Sequence, residues 1–462
     1  MRDQYDFSEG VRGKYVYDQL GAAACAKVPV HVQVLKLLNE RGYQAYFVGG
    51  FVRDMLLGRP SKDVDIATDA TPVQILDIFP TASEVGAHFG ITLVQHGGES
   101  IEVATFRLDG AYKDSRHPES VAFTYDLQED LVRRDFTING LVMDADGRVY
   151  DYVGGRTDLA AKIISTIGEP TRCFKDDALR MLRAVRFACQ LNFGIAEKTF
   201  QGIAYCRQGI LNISAERVRD ELSRILTSGR AALGIHILQR TRLLELILPE
   251  VEALINVPQN PLHHPEGDVY THVLKALRGL EPGCSLTLAL GALLHDIGKP
   301  ATFGLKDGQP TFYGHEDAGE ILAGNVMNRL RFPGDVTSIV KSHVKQHMQF
   351  RNVELLRKAK LLRFVRQETF PELLALHKID AMAGSGNMRH AEFVEEVLKS
   401  VPEEALRPVR LITGMDLIEM GMKPGPRFSE ILETVETEQL EGRITTRTEA
   451  MVYVQCQYRD QG

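Results

Sequence analysis

Several features that would place a protein in or across a membrane are missing from this sequence. No apolar run approaches the ~20 residues that a membrane-spanning helix needs. The first ten residues, MRDQYDFSEG, carry acids and no apolar core, so we expect no secretory signal there. The six cysteines lie far apart without a CxxC pair, which indicates reduced and mostly buried thiols. These absences predict a cytoplasmic protein with no membrane partner.

An excess of basic residues is also missing. The 54 lysines and arginines are outnumbered by 61 acids, which gives a formal charge of −7. A positive field over the whole molecule is thereby excluded, and any contact with nucleic acid must be a local basic patch. With 462 residues, 44% of them hydrophobic and 25% charged, the chain is a globular protein too long for a single core, so we expect several domains.

The stretch GGFVRDMLLGRPSKDVD, residues 49–65, combines two chemical devices. The pattern predicts a strand, a glycine pair, a helical turn and a second strand that carries Asp63 and Asp65. Because alternate residues of a strand point the same way, both carboxylates face one spot. Like charges so close favour a bound cation, and hard oxygen ligands suit Mg²⁺.

The same stretch contains a candidate phosphate site. Gly50 lets the backbone approach a phosphate closely, and the guanidinium of Arg53 can form two parallel hydrogen bonds with one. An isolated DxD or glycine pair is common on surface strands and turns, but the two devices within 17 residues favour a catalytic site. Glu102, on a later strand, could add a third carboxylate. An exposed strand glutamate explains Glu102 equally well, so its role stays open.

The second candidate cluster consists of two arginines and an asparagine, and a predicted loop precedes it in the chain. LVRRDFTINGLVMD, residues 131–144, offers Arg133 and Arg134 as cationic donors and Asn139 as a partner for ribose hydroxyls. A charged loop that leads into a buried strand would look similar. Residues 108–123 have no periodicity and mix Gly, Asp, Ser and Pro with basic residues, which predicts a mobile loop.

The third cluster is a predicted helix over residues 176–193. At about 100° per residue, four polar side chains share one face: Asp177, Arg180, Arg183 and Arg186. An ordinary amphipathic helix could carry them, but this face has three arginines and no balancing ladder of acids. An Asp and an Arg at i and i+3 can offer an acceptor and donors to the edge of a base, as a protein template for cytosine or adenine. A later helix over residues 213–226, with Ser214 as its N-cap and Arg217 to Glu221 exposed, is interpreted as structural support.

The second half of the chain contains a spaced set of histidines and aspartates. After a proline-rich break at residues 257–267, four residues are spaced to meet across a helical bundle as one metal site: His272, His295, Asp296 and Asp380. His315 and His343 could add a second metal. Scattered histidines are usually unremarkable, but HDIGK after an apolar run is unusual.

These motifs, in this order, resemble the family of class II tRNA nucleotidyltransferases (CCA-adding enzymes) and bacterial poly(A) polymerases. The matching segments are GGxVRDxLLGxxxxDxD, RRDxxxN, DxxR and RAxRF, at residues 49–65, 133–139, 177–180 and 183–187. Two positions depart from the family pattern: Gly140 replaces Ala, and Asp176 replaces Glu. The later H…HD…D order resembles the HD phosphohydrolase superfamily.

The resemblance implies a role for each candidate residue in RNA nucleotidyl transfer. Asp63 and Asp65 would bind Mg²⁺, and Gly50 and Arg53 the triphosphate. Ribose recognition would fall to Arg133, Arg134 and Asn139. Asp177 and Arg180 would pair with the base, and Arg183 and Arg186 would contact the nucleotide phosphates. The implied partners are CTP, ATP and the 3′ end of tRNA, extended to CCA or by its last adenosine alone.

Three other functions remain open at this point. Poly(A) polymerases of the family tend to carry an extra basic motif after the metal strand, which GAHFGITLV, residues 86–94, lacks. The chain could instead be chiefly a metal-dependent HD phosphohydrolase with a binding head. It could also be a noncatalytic RNA-binding protein, although a pure binder has no need for paired acids beside a phosphate site.

The expected fold is of the α+β class, with a small mixed-sheet nucleotidyltransferase head followed by an all-helical neck, body and HD domain. The expected division is an N-terminal extension over residues 1–28, the catalytic head over 29–150 and the neck over 151–256. The HD domain with its divalent metal would span 257–390, and a helical region without a motif of its own would span 391–462.

Overall fold

The computed structural model describes residues 28–61, 63–86, 90–110, 120–261 and 264–458. The predicted N-terminal extension therefore lies, apart from its last residue, outside the described part of the chain. Contacts divide the chain into two compact units, residues 1–249 and 250–462. Among the described residues, no helix combines the length and apolarity that a membrane crossing requires.

The first unit begins with a mixed α/β head. Its helices are α1 Val30–Glu40, α2 Gly50–Leu56, α3 Pro72–Ile78 and α4 Leu127–Val132. Its strands are β1 Ala45–Val48, β2 Asp65–Thr68, β3 Ser83–Gly86, β4 Ile91–His96, β5 Glu99–Thr105, β6 Arg107–Asp109, β7 Val121–Phe123, β8 Leu141–Met143 and β9 Val149–Asp151. Helix α3 starts with a capping box between Thr71 and Gln74 and with Pro72 in its first turn.

Seven of these strands form one sheet in the order β3-β4-β5-β2-β1-β8-β9. The neighbouring strands are antiparallel except β2 and β5, which run parallel with Asp65 beside Glu102. Along β5, Ile101 and Val103 are buried whereas Glu102 is exposed. This alternation is what a half-buried strand requires, and it places the glutamate on the opposite face from the two apolar side chains.

The predicted mobile loop over residues 108–123 is partly ordered. Its two ends form strands β6 and β7, which pair as an antiparallel ribbon, Arg107 with Phe123 and Asp109 with Val121. The loop prediction was therefore wrong for these ends, because short strands can form without any apolar period. The middle of the segment, residues 111–119, lies outside the described residues.

The neck completes the first unit and is mostly helical. Its elements are α5 Gly155–Ala161, β10 Ile163–Ile164, α6 Pro170–Asp176, α7 Leu179–Leu191, β11 Gly194–Ile195, α8 Glu197–Cys206, α9 Ala215–Leu226, α10 Ala231–Arg240 and α11 Leu244–Ile247. The short helix α12 Pro249–Glu252 contains the boundary between the units. The single helix predicted over residues 176–193 is two helices, because Asp177 has an extended backbone with φ −140° and ψ 107°.

In its described residues, 250–261 and 264–458, the second unit is helical apart from one hairpin. Its elements are α13 Val269–Arg278, α14 Leu286–Leu294, β12 Gly304–Lys306, β13 Gln309–Thr311, α15 His315–Arg329, α16 Gly334–Gln346, α17 Lys358–Val365, α18 Phe370–Ala383, α19 Arg389–Ser400, α20 Glu403–Leu406, α21 Gly414–Glu419, α22 Arg427–Leu440 and α23 Arg447–Tyr458. The C-terminal region has its own apolar cluster, which includes Leu417, Ile431 and Val454. The α+β architecture, with a mixed-sheet head and a helical remainder, is confirmed.

Candidate active site and metal centre

The glycine pair forms the turn between β1 and α2. Gly49 has φ 70° and ψ −135°, a backbone conformation that residues other than glycine rarely adopt. A Cβ atom at Gly49 would stand 3.8 Å from both Asp65 Oδ2 and Arg134 Nη1. The turn therefore brings bare backbone next to a carboxylate and a guanidinium, and it leaves a gap between them.

The carboxylate of Asp65 lies beside this turn, and those of Asp63 and Glu102 interact electrostatically with it. Asp65 is the first residue of β2, whereas Asp63 precedes the strand and is exposed, so the two are not alternate residues of one strand as predicted. Burial, followed by the charges of Asp65 and Asp63, raises the pKa of Glu102. Burial and the charge of Asp63 raise the pKa of Asp65, although Arg134 opposes the shift. Mutual repulsion of this kind favours a bound cation, and Glu102 joins the candidate set.

Arg53 is buried behind the turn. Its Nε and Nη2 donate to the carboxylate of Asp54 at 2.9 and 2.8 Å, and its Nη1 donates to Asn139 Oδ1 at 2.7 Å. Asn139 Nδ2 in turn donates to Asp135 Oδ1 at 3.0 Å. The residues predicted to hold the triphosphate and the ribose are thus hydrogen-bonded to each other.

Asp135 connects this network to the neck. Its Oδ2 accepts hydrogen bonds from Nε and Nη2 of Arg183 at 2.8 and 2.6 Å. Burial alone would raise the pKa of Asp135, but Arg183 and Asn139 outweigh it and lower the value to about 2. A continuous chain of hydrogen bonds therefore runs from Arg53 through Asn139 and Asp135 to helix α7.

Asp177 and Arg180 are held by separate partners and not as a pair on one helix face. Asp177 Oδ1 accepts from the backbone N–H of Leu179 at 2.9 Å, and its Oδ2 accepts from Arg217 Nη2 at 3.0 Å. Arg180 Nη2 donates to the backbone oxygen of Arg133 at 2.7 Å. The prediction that both side chains lie on one face of a single helix was wrong, because the backbone break at Asp177 sets the direction of the Asp177 side chain.

Arg186 was predicted to share one polar face with Asp177, Arg180 and Arg183, but it lies apart from that face. It is buried, its Nε is 3.3 Å from Glu221 Oε2, and its guanidinium lies 4.4 Å from the ring centre of Phe187. Glu221 is buried as well, so the prediction that Arg217 to Glu221 lie exposed on α9 was also wrong. Tertiary packing of α9 against α7 decides both burials.

Sequence reasoning missed the acids that hold these arginines. Asp130, Asp135 and Glu221 are all buried, and each binds at least one arginine of the predicted site. For Asp130 a signal was present, because it precedes Arg133 and Arg134 by three and four residues at the end of an amphipathic segment. The partners of Asp135 and Glu221 are more than 30 positions away, and no local pattern indicates them.

In the second unit, the four predicted metal ligands come together. His272 Nε2 lies 2.9 Å from Asp380 Oδ1, 3.4 Å from His295 Nε2 and 3.8 Å from Asp296 Oδ2. His295 Nε2 lies 3.2 Å from Asp296 Oδ2 and 3.7 Å from Asp380 Oδ1. Imidazole nitrogens and carboxylate oxygens that converge in this way match the preferences of divalent transition metals.

A second group shares Asp296. Its Oδ1 lies 3.6 Å from His315 Nε2 and 3.9 Å from His347 Nε2, and these two nitrogens are 3.2 Å apart. The prediction of His315 is consistent with this group, but that of His343 was wrong. His343 packs against Gly291 and lies 3.8 Å from Glu372, because it is one helical turn before His347.

Two further residues support this centre: Glu266, which the sequence did not single out, and Lys299, which ends the HDIGK segment. Glu266 Oε1 lies 2.6 Å from His272 Nδ1 and 3.0 Å from His264 Nδ1. Lys299 Nζ lies 2.7 Å from Asp296 Oδ2 and donates to Gln259 Oε1 at 2.7 Å. Burial would lower the pKa of His272, but hydrogen bonds with Asp380 and Glu266 raise it to about 9.

Three family models match the chain in order. Residues 45–165 match a poly A polymerase head domain, and residues 192–255 match a probable RNA and SrmB-binding site of polymerase A. Residues 269–384 match the HD domain. In these segments the chain is similar to poly(A) polymerases and, as the relatives below show, to CCA-adding enzymes. The resemblance inferred from the motifs is thereby confirmed.

Curated CCA-adding enzymes are similar over about half of the chain. The CCA-adding enzyme of Bacillus pumilus (strain SAFR-032) is 46% identical over 214 residues, 46% of this chain and 54% of the relative. The CCA-adding enzyme of Geobacillus stearothermophilus is 47% identical over 210 residues, 46% of this chain and 52% of the relative. The matched segment thus spans about half the length of these curated relatives.

The similarity in structure extends further along the chain. The Bacillus stearothermophilus CCA-adding enzyme, solved in complex with CTP, matches with a TM-score of 0.72 and 28% identity over 93% of this chain and 96% of that one. The Thermotoga maritima CCA-adding enzyme, solved with tRNA, matches with a TM-score of 0.60 over 92% of this chain. Its identity is 20%, so this second match concerns the fold alone.

Proposed function

We propose that this chain is a template-independent RNA nucleotidyltransferase that adds CCA, or its terminal adenosine, to tRNA 3′ ends from CTP and ATP. One observation carries the proposal: Asp65, which pairs with Glu102 across parallel strands and feels the charge of Asp63, lies beside a glycine turn whose other neighbour is Arg134. A metal site and a cationic phosphate site therefore meet at one point. Similarity to CCA-adding enzymes supports the choice of reaction.

The three carboxylates fit Mg²⁺ as a cofactor of the head. All offer hard oxygen ligands, and burial, together with the charges of neighbouring acids, raises the pKa values of Asp65 and Glu102, so a cation there would stabilise their ionised forms. When bound, Mg²⁺ activates an attacking hydroxyl and stabilises the charge on a leaving pyrophosphate. The protein contributes the position of the ligands, with Asp65 and Glu102 fixed side by side by the parallel pairing of β2 and β5.

The arginines around the glycine turn would bind the nucleotide phosphates. Arg134 lies closest to the metal carboxylates among the residues predicted to read the ribose, so we assign it to the triphosphate. Asn139 keeps its predicted role at the ribose only if a hydroxyl joins or replaces its bonds to Arg53 and Asp135. Gly50 leaves room for backbone N–H groups to approach a phosphate.

Base selection is assigned to the junction of α6 and α7. Asp177 carries an acceptor, already oriented by the N–H of Leu179 and by Arg217, and Arg180 supplies donors. Arg183 is placed to serve the phosphates, since it lies on the same hydrogen-bond chain as Arg53. Arg186 is buried against Glu221, so we expect it to support this helix rather than to touch a nucleotide.

The proposed nucleotidyltransferase function also assigns a role to each domain, a substrate and a cellular location. In this proposal residues 29–150 form the catalytic head, residues 151–256 the neck that reads the base and residues 257–390 the HD domain. The protein would act on tRNA in the cytoplasm.

Three tRNA transcripts test the proposal: one that ends before the CCA triplet, one that ends after its second C and one that ends after its A. Each is offered labelled CTP and ATP separately with Mg²⁺. Extension of the first by CTP and of the second by ATP would establish a CCA-adding enzyme, and extension of the second alone an A-adding enzyme. Unlimited extension of any RNA by ATP would instead make it a poly(A) polymerase, and no incorporation would overturn the proposal.

A second activity, metal-dependent phosphohydrolysis, is favoured by the buried centre of the second unit. Two imidazoles and two carboxylates converge there within hydrogen-bonding distance, and this donor set fits a divalent metal. The bound metal would polarise a phosphoryl oxygen and lower the pKa of a water ligand. Lys299, whose ammonium group contacts Asp296, would add positive charge for a phosphate ester.

A metal screen tests this second activity. The protein is stripped of metal, reloaded with Mg²⁺, Mn²⁺, Co²⁺, Ni²⁺ or Zn²⁺, and assayed on a phosphate monoester and on a 2′,3′-cyclic nucleotide. Hydrolysis that requires both an added metal and His295 would support it. Equal hydrolysis by the wild type and by His295→Ala would contradict it.

A further inference from the structure

One buried carboxylate holds both arginines of the RRD segment. Asp130 lies in α4, three and four residues before Arg133 and Arg134, and only 1% of its surface is exposed. Its Oδ1 accepts from Nε and Nη2 of Arg133 at 3.0 and 2.5 Å. Its Oδ2 accepts from Nε and Nη2 of Arg134 at 3.2 and 2.9 Å. Each guanidinium is therefore fixed through the same edge, formed by Nε and Nη2.

The remaining nitrogen of Arg134 faces the metal carboxylates. Its Nη1 lies 3.8 Å from the position of a Cβ on Gly49, and Asp65 Oδ2 lies at the same distance from that position. Arg134 also contributes a charge that lowers the pKa of Asp65 against the effect of burial. The guanidinium and the carboxylate thus both border the space that the glycine leaves and interact electrostatically.

Arg133, which the same carboxylate holds, contacts Arg180 at the junction of α6 and α7, to which we assign base selection. Its Nη1 lies 3.6 Å from Asp109 Oδ2. Its backbone oxygen accepts the hydrogen bond from Arg180 Nη2 at 2.7 Å. Because the side chain of Arg133 is anchored on Asp130, the backbone that receives Arg180 is anchored as well.

Electrostatics explains why two arginines share one acid. A buried carboxylate is unfavourable unless it is paired and fully hydrogen-bonded, and here five N–H donors satisfy Asp130, four from Arg133 and Arg134 and one from the backbone of Arg107. The carboxylate of Asp130 and its two guanidiniums carry one net positive charge, and the adjoining ion pair of Arg107 with Asp109 leaves this sum unchanged. If Asp130 were neutral, Arg134 would lose this partner and would be attracted to Asp65, whose oxygen we assign to the metal.

We propose that Asp130 is a positioning residue of the nucleotide site. It holds Arg133 and Arg134 in the orientation that meets the triphosphate, and it keeps Arg134 from pairing with Asp65 in place of the metal. The inference rests on the nucleotidyltransferase function proposed above, and it adds a residue that does not touch the nucleotide itself. Nothing in the reaction requires Asp130 to gain or lose a proton.

The test compares Asp130→Asn with Glu129→Gln. Both remove one negative charge from neighbouring positions of α4, but Glu129 is exposed and its carboxylate only receives a hydrogen bond from Thr124. Equilibrium binding of labelled CTP with Mg²⁺, without RNA, measures the nucleotide site directly. We expect Asp130→Asn to weaken CTP binding by about tenfold or more, in line with the loss of a charge-assisted hydrogen bond, and Glu129→Gln to leave it unchanged.

Two further readouts separate positioning from simple stabilisation. In steady-state extension of tRNA, Asp130→Asn should raise KM for CTP and ATP more than it lowers kcat, and it should raise the Mg²⁺ concentration needed for half-maximal rate. In an Arg134→Ala background, Asp130→Asn should change CTP affinity by less than about twofold, because the residue through which it acts on Asp65 is gone.

The outcomes decide between the alternatives. Wild-type CTP affinity and Mg²⁺ dependence in a folded Asp130→Asn protein would overturn the inference, as would a full additional loss in the Arg134→Ala background. If Asp130→Asn fails to fold by circular dichroism, Asp130→Glu, which keeps the charge but moves it by one methylene, takes its place in the same comparison. A wild type that binds CTP but extends no RNA would refute the proposed function, while the binding comparison would still decide the role of Asp130.

Discussion

The two candidate sites of this chain use acids in opposite ways. In the head, the carboxylates that could bind a metal lie near the surface, while buried acids such as Asp130 and Asp135 hold arginines. In the second unit, the candidate ligands are themselves buried and contact one another, with His272 and His295 fully enclosed. This difference agrees with our proposal that the head receives a charged substrate and that the histidine centre holds a metal ion.

This difference predicts different metal behaviour. Mg²⁺ usually keeps several waters and completes its coordination with substrate phosphates, so the open carboxylates of the head should bind it weakly without a nucleotide. The converging imidazole nitrogens of the histidine centre should bind a transition metal more tightly, and this binding should not require a substrate. Substitutions in either site can test this difference in metal binding.

The largest expected effect is that of Asp65→Asn. Loss of a metal ligand should lower nucleotide incorporation into tRNA by about a thousandfold, since metal charge stabilisation accounts for several kcal/mol of such a barrier. The metal content of the purified protein, measured by mass spectrometry, should not change. A loss of bound transition metal in this variant would contradict the separation of the two sites.

The next largest effect concerns the stability of the first unit. Glu221→Ala leaves the buried guanidinium of Arg186 without its partner, which should destabilise this unit by about 3 kcal/mol. Calorimetry should show a lower unfolding temperature for one transition only. Glu216→Ala, on the first turn of the same helix, is the matched control and should have a much smaller effect. Equal shifts from both variants would refute the importance of the buried pair.

The converse substitution, in the histidine centre, should spare the head. His295→Ala removes one nitrogen from the converging set and should weaken metal binding by about a hundredfold or more. Incorporation of CMP and AMP into tRNA should stay within about twofold of wild type. His343→Ala offers a comparison, because that buried histidine lies outside the centre and should leave the metal content intact. Loss of metal from both variants would argue against the assignment.

The smallest expected effect appears at low pH. The pKa of Asp135 lies at about 2, below its ordinary value of 3.8, so its ionised form stabilises the folded protein. This contribution, about 2 kcal/mol, is complete above pH 4 and is lost as pH falls towards 2. Asp135→Asn should remove that part of the pH dependence, as measured by urea unfolding at pH 3 and 6. An identical pH dependence in the two proteins would contradict the pairing with Arg183.

Local sequence predicted much of the head correctly. The strands β4 and β5 follow from alternating apolar residues, and α3 follows from its cap and its first-turn proline. The four residues of the histidine centre were also named from the sequence, since HDIGK and the flanking His and Asp stand out by type and spacing. The strand and helix patterns are local, so the fold of distant segments does not alter them, whereas the meeting of His272 with Asp380, 108 positions away, depends on that fold.

Predictions that required a direction in space failed more often. Helical periodicity put Asp177 and Arg186 on one exposed face, but a backbone break turns the first away and packing against α9 buries the second. His343 and His347 are one turn apart on the same helix, so the sequence favours neither, and only the arrangement of α14 and α15 around them selects His347.

The sequence by itself determined which chemical groups are present and, through their order, which family the chain resembles. Only the tertiary structure decided which of those groups share a site, because the partners of Asp65, Asp135 and Asp177 lie between 37 and 48 positions away, as the pairs with Glu102, Arg183 and Arg217 demonstrate. Burial of a charge depends on the summed packing of many side chains. It therefore cannot be read from the neighbours of one residue in the chain.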